Sequence, residues 1–195
     1  MADASRESPL HAFAGDVAVA GTATIVGEVT ITERPFRAMF NARGKPGDAT
    51  FVRALGEATG LELPGANAFI ARDGRAIAWL GPNEFLLLVE RGGDAADAAS
   101  KIRGRLGGQI RALTEVSAGH TTIQISGGDA RSFLARGCAL DLHPRALNAG
   151  QCLQTLVAGT SVLLLLRDDS PRFEIIVRRS FADHLWRWLK RSAQH

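Results

Sequence analysis

The order of the predicted secondary-structure elements repeats once along the chain, and this repeat limits the folds open to it. In each part, two strands precede a helix, and three strands and a second helix follow. The first helix of each copy begins at an aspartate, Asp48 or Asp129. Two such units predict a pseudo-symmetric α+β fold in which helices cover sheets. We place the two pseudo-repeats at about 28–108 and 109–195.

Apolar alternation and turn residues predict the individual elements. The first copy has predicted strands at 29–32, 36–40, 68–72, 76–80 and 84–89 and helices at 48–57 and 94–106. The second has predicted strands at 110–116, 121–126, 152–157, 162–166 and 173–177, a short helix carrying Phe133 and Leu134, and a final helix at 181–190 capped by Ser180. Asp73-Gly74 predicts a two-residue hairpin turn. The Ala- and Gly-rich residues 1–27 are expected to form an N-terminal arm before a single domain at 28–195.

The composition excludes several classes of protein. The 195 residues are 46% hydrophobic and 22% charged, which is typical of a globular chain and not of a disordered one. No apolar run reaches the roughly 18 residues that a membrane span needs. The net charge is +3, without tyrosine or a dense basic stripe, so nucleic acid is not an expected partner. Two cysteines and no basic-apolar leader indicate the cytoplasm.

Three short patterns resemble sites but favour a structural interpretation. Cys138, His143 and Cys152 lack the close ligand pairs of a zinc site, so we predict no metal. The stretch Ser126-Gly127-Gly128-Asp129 has the exposed amides of a phosphate loop, but its aspartate would repel an anion. Asn83 and Glu84 follow Pro82 in a tight turn, with contact to a partner as the main alternative.

The final predicted helix carries the best candidate for a partner contact. Its expected core face comprises Phe181, Leu185, Trp188 and Leu189. Trp186 lies off that face, near Arg179 and Arg187. Tryptophan and arginine are enriched at protein interfaces, so we predict that these three residues contact another protein.

Five stretches of the chain occur in the order typical of one known family. They are SPLHAF at 8–13, VTITERPF at 29–36, WLGPNEFLLL at 79–88, ARGCALDLHPRAL at 135–147 and RSFADHLWRWL at 179–189. In these stretches the sequence resembles the gamma subunits of heterotetrameric sarcosine oxidases. The resemblance implies a fold like the folate-binding domain of the glycine-cleavage aminomethyltransferases, with two swapped repeats.

The resemblance also implies a role in an oxidoreductase complex. Such an oxidase demethylates sarcosine to glycine, forms peroxide and passes a one-carbon unit to tetrahydrofolate. The alpha and beta subunits hold NAD, FAD, FMN and folate, and the small delta subunit holds zinc. The gamma subunit has no assigned catalytic residue, so we expect no cofactor and no catalytic site on this chain.

The predicted subunit contacts are Trp186, Arg179, Arg187, Asn83, Glu84, His143 and Arg145. They belong to the family-like stretches and are expected to face the alpha and beta subunits. A free-standing folate-binding protein similar to an aminomethyltransferase is the alternative function. A convergent carboxylate and a pterin-binding pocket would favour that alternative.

Overall fold

The structure is a computed structural model, and it describes residues 7–13, 24–26, 29–90, 100, 104 and 112–193. The chain divides into two compact units, the first from 1–36, 118–149 and 154–195 and the second from 37–117 and 150–153. The strands are β1 (Thr24–Val26), β2 (Val29–Arg34), β3 (Ala38–Arg43), β4 (Phe69–Arg72), β5 (Arg75–Gly81), β6 (Glu84–Val89), β7 (Ala112–Glu115), β8 (His120–Ser126), β9 (Cys152–Val157), β10 (Thr160–Leu166) and β11 (Arg172–Arg178). The α-helices with described bounds are α1 (Ala49–Thr59), α2 (Ala130–Ala135) and α3 (Arg179–Ser192).

The two sheets confirm the duplicated α+β fold and show how the copies are related. The six-stranded sheet has the order β1-β2-β8-β11-β10-β9, and the five-stranded sheet has the order β4-β5-β6-β3-β7. The first strand of each copy therefore lies in the sheet of the other copy. Strand β2 pairs with β8, and β7 pairs with β3, both antiparallel. Without β1, the two sheets have equivalent strand orders.

Local chemistry explains helix α1 in the second unit. The Asp48 carboxylate accepts hydrogen bonds from the backbone amides of Thr50 and Phe51 at 2.9 and 3.4 Å, as a helix cap should. The helix ends at Gly60, whose φ of 72° is left-handed and suits glycine. Its apolar face packs on the sheet, where the rings of Phe51 and Phe85 are 6.0 Å apart.

Two tight hairpins are built alike. Asp73 and Gly74 have φ values of 51° and 72°, which confirms the predicted two-residue turn between β4 and β5. Ala158 and Gly159 have φ values of 50° and 74° between β9 and β10. This second turn lacks the usual Asn or Asp, so the sequence signal was weaker.

The final helix begins earlier than predicted. Helix α3 starts at Arg179, directly after β11, and Arg178 holds the N-cap position without a side-chain hydrogen bond. Ser180 therefore lies inside the first turn and is not the cap.

Some predictions fall on residues without a description. The predicted helix at 94–106 lies outside the described residues, apart from Ser100 and Gly104. Within 1–27, β1 pairs with β2, and Leu10 is 1% exposed. Among the helices that are described, none has the length and apolar character needed to cross a bilayer.

Candidate functional site

The prediction that Trp186 lies off the core face of the final helix is wrong. Its side chain is 0% exposed in the first unit, so it belongs to the core and is a poor candidate for a subunit contact. The buried residues of α3 are Ala182, Leu185, Trp186 and Leu189. The helix sequence contains two overlapping apolar stripes that share Leu185 and Leu189. One adds Phe181 and Trp188, and the other adds Ala182 and Trp186. The fold buries the stripe that contains the small Ala182, and it leaves Phe181, expected in the core, 50% exposed.

The two arginines near Trp186 hold the N-terminal residues of the first unit. A guanidinium NH2 of Arg179 donates to the carbonyl oxygen of Glu7 at 2.9 Å. The Nε of Arg187 donates to Asp183 at 2.5 Å, and its guanidinium carbon lies 5.0 Å from the ring centroid of Phe13. Both arginines remain exposed, and their contact with a partner stays a prediction.

Glu84 fastens the turn between β5 and β6 to β3. One carboxylate oxygen accepts a hydrogen bond from the Asn41 amide at 2.6 Å, and the other lies 2.9 Å from Arg43. The carbonyl oxygen of Asn83 accepts from the amide of Gly44 at 3.1 Å. Both carboxylate oxygens are engaged, so the geometry favours a structural role for Glu84. The side chain of Asn83 stays exposed at the turn, and its predicted partner contact is untested.

His143 and Arg145 belong to an exposed turn that folds on itself. The Nδ1 of His143 accepts from the backbone amide of Arg145 at 3.2 Å. The amide of His143 donates to Asp141 at 2.9 Å. Arg131 closes the loop from α2 by donating to the carbonyl oxygens of Leu142 and Leu147 at 2.5 and 3.1 Å. This turn has a surface suited to contact but no catalytic arrangement.

The two cysteines have different surroundings and do not form a metal centre with His143. The thiol of Cys152 donates to the carbonyl oxygen of Ala68 at 3.1 Å and lies 3.5 Å from that of Trp79. Burial raises the pKa of Cys152 from 9.0 to about 11, so the group stays a neutral thiol. Cys138 is half-buried in the first unit. Over the residues with described positions, no three His, Cys, Asp or Glu side chains converge as metal ligands.

The Ser126–Asp129 stretch is a turn beside a shallow depression. The depression has a volume of about 460 Å³ and is lined by Ser126, Gly127, Gly128, Asp168, Ser170, Pro171 and Arg172. Its two charged residues pair with each other, with an Arg172 nitrogen 2.7 Å from an Asp168 oxygen. Asp129 stands at the start of α2 but makes no capping hydrogen bond through its side chain. The charges offset each other, so the depression does not select an anion.

Sequence reasoning missed two buried glutamates in the six-stranded sheet. Glu33 is 5% exposed and accepts hydrogen bonds from the hydroxyls of Thr121, at 2.7 Å, and Ser8. Its position in β2 continues the alternation of buried residues after Val29 and Ile31. The signal in the sequence was a glutamate at a position where the alternation along the strand predicts a buried residue.

Glu174 is the second buried acid, and it is held by arginines. It is 2% exposed, receives a hydrogen bond from Arg167 at 2.8 Å and lies 3.7 Å from Arg34. The amide oxygen of Gln124 accepts from Arg34 at 3.2 Å, which extends the network across the sheet. A buried carboxylate paired in this way is a structural ion pair whose charge is already neutralised.

The exchanged strands define the class of protein. The glycine cleavage system aminomethyltransferase T from Bartonella henselae has the same fold, with a TM-score of 0.70 and 14% identity over 94% of this chain and 56% of that one. The chain is thus a duplicated α+β protein with the fold of the matched part of this aminomethyltransferase. This similarity shows the fold and not the function, which has to be inferred from relatives of higher sequence identity.

Closer relatives identify the family. The model of the Sarcosine oxidase, gamma subunit family matches residues 43–195, and the chain belongs to this family. The gamma subunit from Corynebacterium sp. strain P-1 is 34% identical over 94% of this chain and 88% of its own length. That of strain U-96 is 36% identical over 86% of this chain and 81% of its own. A chain of the heterotetrameric sarcosine oxidase of strain U-96, solved with pyrrole 2-carboxylate, matches with a TM-score of 0.83 and 33% identity over 97% of this chain and 95% of that one.

Proposed function

We propose that this chain is the accessory gamma subunit of a heterotetrameric sarcosine oxidase and works by binding its larger subunits. The complex would demethylate sarcosine to glycine, form peroxide and transfer a one-carbon unit to tetrahydrofolate. The alpha and beta subunits are the proposed direct partners, with a small delta subunit in the same assembly. We place the complex in the cytoplasm, in keeping with the two free cysteines.

The observation that carries this proposal is the end-to-end similarity to one chain of a heterotetramer. The match covers 97% of this chain and 95% of that chain. A chain that aligns with that subunit over nearly all of its residues at 33% identity is expected to share its mode of assembly. The similarity therefore favours an assembled subunit over a free-standing enzyme.

The described side chains support a non-catalytic role. The Glu33 carboxylate accepts hydrogen bonds from hydroxyls. The Glu84 carboxylate is held by an amide and an arginine, and the Glu174 carboxylate by arginines. The pKa of Cys152 is raised, which is the opposite of what a nucleophilic thiol needs. General acid or base catalysis requires a group that can reach a substrate proton. These four groups already have protein partners, so we assign no proton-transfer step to any of them.

The fold class implies tetrahydrofolate, but the buried carboxylates do not fit it. Recognition of a pterin by this fold would call for a carboxylate that is open to the ligand. Glu33 is closed by Ser8 and Thr121, and Glu174 by Arg167 and Arg34. These two carboxylates are therefore not open to a pterin, and we propose that another subunit of the complex binds folate.

Co-expression tests the proposal. The chain, expressed with the alpha, beta and delta subunits of its own oxidase, should co-purify with a tag on a large subunit. Expressed alone, it should show no flavin absorbance and release no peroxide from sarcosine. Failure to co-purify, or peroxide from the isolated chain, would contradict the proposal.

A folate titration separates the proposal from the free-standing aminomethyltransferase. Trp79, Trp186 and Trp188 supply intrinsic fluorescence. A reduced folate added to the isolated chain should leave that fluorescence unchanged after correction for absorption by the ligand. Saturable quenching at micromolar folate would favour the folate-binding alternative.

A further inference from the structure

Residues 7–13, which we call the N-terminal segment, form a compact peptide on the first unit. Pro9 restricts the backbone directly after Ser8. The hydroxyl of Ser8 accepts a hydrogen bond from the amide of Leu10 at 3.0 Å. The amide of Phe13 donates to the carbonyl oxygen of Leu10 at 2.9 Å, within a short 3₁₀-helix. A peptide that is shaped by its own hydrogen bonds loses less conformational entropy when it binds.

The six-stranded sheet binds the N-terminal segment through a buried carboxylate. The hydroxyl of Ser8 donates to one oxygen of Glu33 on β2, and the hydroxyl of Thr121 on β8 donates to the other at 2.7 Å. Glu33 lies opposite Ile123, two residues after Thr121, so Glu33 and Thr121 share one face of the sheet. The segment therefore supplies one of the two hydroxyls that satisfy this buried acid.

Helix α3 holds the N-terminal segment at both of its ends. Arg179 donates to the carbonyl oxygen of Glu7 at 2.9 Å. The guanidinium carbon of Arg187 lies 5.0 Å from the ring centroid of Phe13, within the range of a cation–π interaction. The two arginines are eight positions apart and so lie in one row along the helix. The first contact reads the main chain of the segment, and the second reads an aromatic side chain.

One apolar side chain anchors the middle of the N-terminal segment. Leu10 is 1% exposed, whereas Glu7, His11 and Ala12 are exposed. A buried anchor, a main-chain hydrogen bond and selective side-chain contacts are the elements by which proteins recognise short peptides. The residues that make the polar and cation–π contacts with the segment, or complete them, are the segment site: Glu33, Thr121, Arg179 and Arg187.

We infer that the segment site is a peptide-binding site and that the N-terminal segment is its exchangeable ligand. The contacts define the class of ligand, which is a peptide with a hydroxyl side chain, an aliphatic residue two positions later and an aromatic residue three positions after that. Ser8, Leu10 and Phe13 have this pattern. Residues 14–23 link the segment to β1, and such a tether keeps the site filled by mass action. Once the segment is released, the site accepts a peptide of the same class from solution.

Release of the segment in the full-length chain tests the inference. Leu10→Asp should open the site, because a charge replaces the buried anchor. The probe is a fluorescein-labelled peptide with the sequence of residues 7–13, and fluorescence anisotropy measures its binding. The Leu10→Asp chain should bind the probe at least about tenfold more tightly than the wild type, in which the tethered segment competes. The matched control is Ala12→Asp, at an exposed position of the segment, which should bind like the wild type.

A further substitution in the Leu10→Asp chain tests the contacts with α3. Arg179→Ala should weaken binding of the probe about fivefold or more, because the hydrogen bond to the main chain of the peptide is lost. The matched control is Arg191→Ala on the same helix, since Arg191 makes no hydrogen bond or ring contact with residues 7–13. A probe that itself carries Leu10→Asp should not bind. Circular dichroism checks that each variant folds.

A cleavable tether provides the second test if Leu10→Asp does not fold. A protease recognition sequence is inserted between Ala18 and Val19, so residues 7–13 stay unchanged. After cleavage, the fragment that contains the segment should stay with the rest of the chain during gel filtration. An excess of the probe should then displace it.

These experiments use this chain alone, so their results are independent of the proposed assembly with other subunits. Tighter binding of the probe by Leu10→Asp, weakened by Arg179→Ala, would support the peptide site. A folded Leu10→Asp chain that binds the probe no better than the wild type would overturn it. Equal binding of the probe that carries Leu10→Asp, or a cleaved fragment that the probe does not displace, would also contradict the inference.

Discussion

The indole of Trp188 lies directly over Gly137, where a side chain on the glycine would have no room. A Cβ atom built on Gly137 would overlap with Cζ2 of the indole. The same indole packs against Phe133, with ring centroids 6.4 Å apart. This contact joins α3 to the loop after α2 and fixes the position of the segment that borders β9.

Gly137→Ala should therefore destabilise the first unit. The added methyl group must displace a ring that also packs against Phe133, and overpacking of this kind costs about 1–3 kcal/mol. The free energy of unfolding in urea measures the loss. Gly65→Ala is the matched control, because nothing lies within 4 Å of a Cβ at that position. Equal stability of the two variants would contradict the contact.

Trp186 and Phe181 give a direct test of the orientation of α3. Trp186→Ala should cost about 3–5 kcal/mol, because the indole is 0% exposed. Phe181→Ala should change stability by less than about 0.5 kcal/mol, because the ring is half exposed. Denaturant unfolding of both variants measures the difference. A larger loss for Phe181→Ala would indicate the helix orientation predicted from sequence.

Leu10 should anchor the N-terminal residues to the first unit. Its side chain is 1% exposed, and its amide donates to the hydroxyl of Ser8 at 3.0 Å. Leu10→Ala should cost about 2 kcal/mol or more and speed proteolysis near the N-terminus. The neighbouring His11→Ala, at an exposed position, should have little effect on either measurement. An unchanged rate of cleavage in Leu10→Ala would exclude the anchor.

Cys152 should make stability depend on pH in the alkaline range. Folding raises the pKa of this thiol from 9.0 to about 11, so the folded state binds the proton more tightly than the unfolded state. The stabilisation is complete below pH 9.0 and is lost as the pH rises through about 11. The free energy of unfolding should fall more steeply across this range in the wild type than in Cys152→Ala.

Cys138→Ala provides the control for that experiment. Cys138 is not fully buried, so its removal should leave the alkaline loss of stability in place. The native protein should also react with a thiol reagent at Cys138 first, with Cys152 reacting on unfolding. If the pH dependence disappeared in Cys138→Ala, the effect would come from Cys138, and the prediction for Cys152 would be contradicted.

The sequence predicted those parts of the fold that local chemistry determines. Alternation located the three strands after α1 to within about one residue, and Asp48 and Asp73-Gly74 behaved as predicted. The orientation of α3 was mispredicted because Trp186 and Trp188 both fit an apolar stripe. Packing against the sheet buries Trp186 and not Trp188, and helical spacing alone does not predict which of the two is buried.

The candidate contacts were harder to predict than the strands. Glu84 could be placed in a turn, but its bonds to Asn41 and Arg43 depend on the pairing of β3 with β6. Glu33 and Glu174 went unnoticed because their partners are distant in sequence or on neighbouring strands. The exposed state of Phe181 follows from packing, so only the structure could single it out.

The exchange of strands also has a consequence for synthesis on the ribosome. Strand β2 is made early, but its neighbour β8 emerges much later, and the bonded pair Glu33 and Thr121 are 88 positions apart. Until then, an apolar strand edge in the nascent polypeptide has no permanent neighbour, and such edges invite aggregation. The need for chaperones during translation should therefore depend on the time between the synthesis of β2 and that of β8. A ribosomal pause before β8 would lengthen the time in which the nascent chain can aggregate.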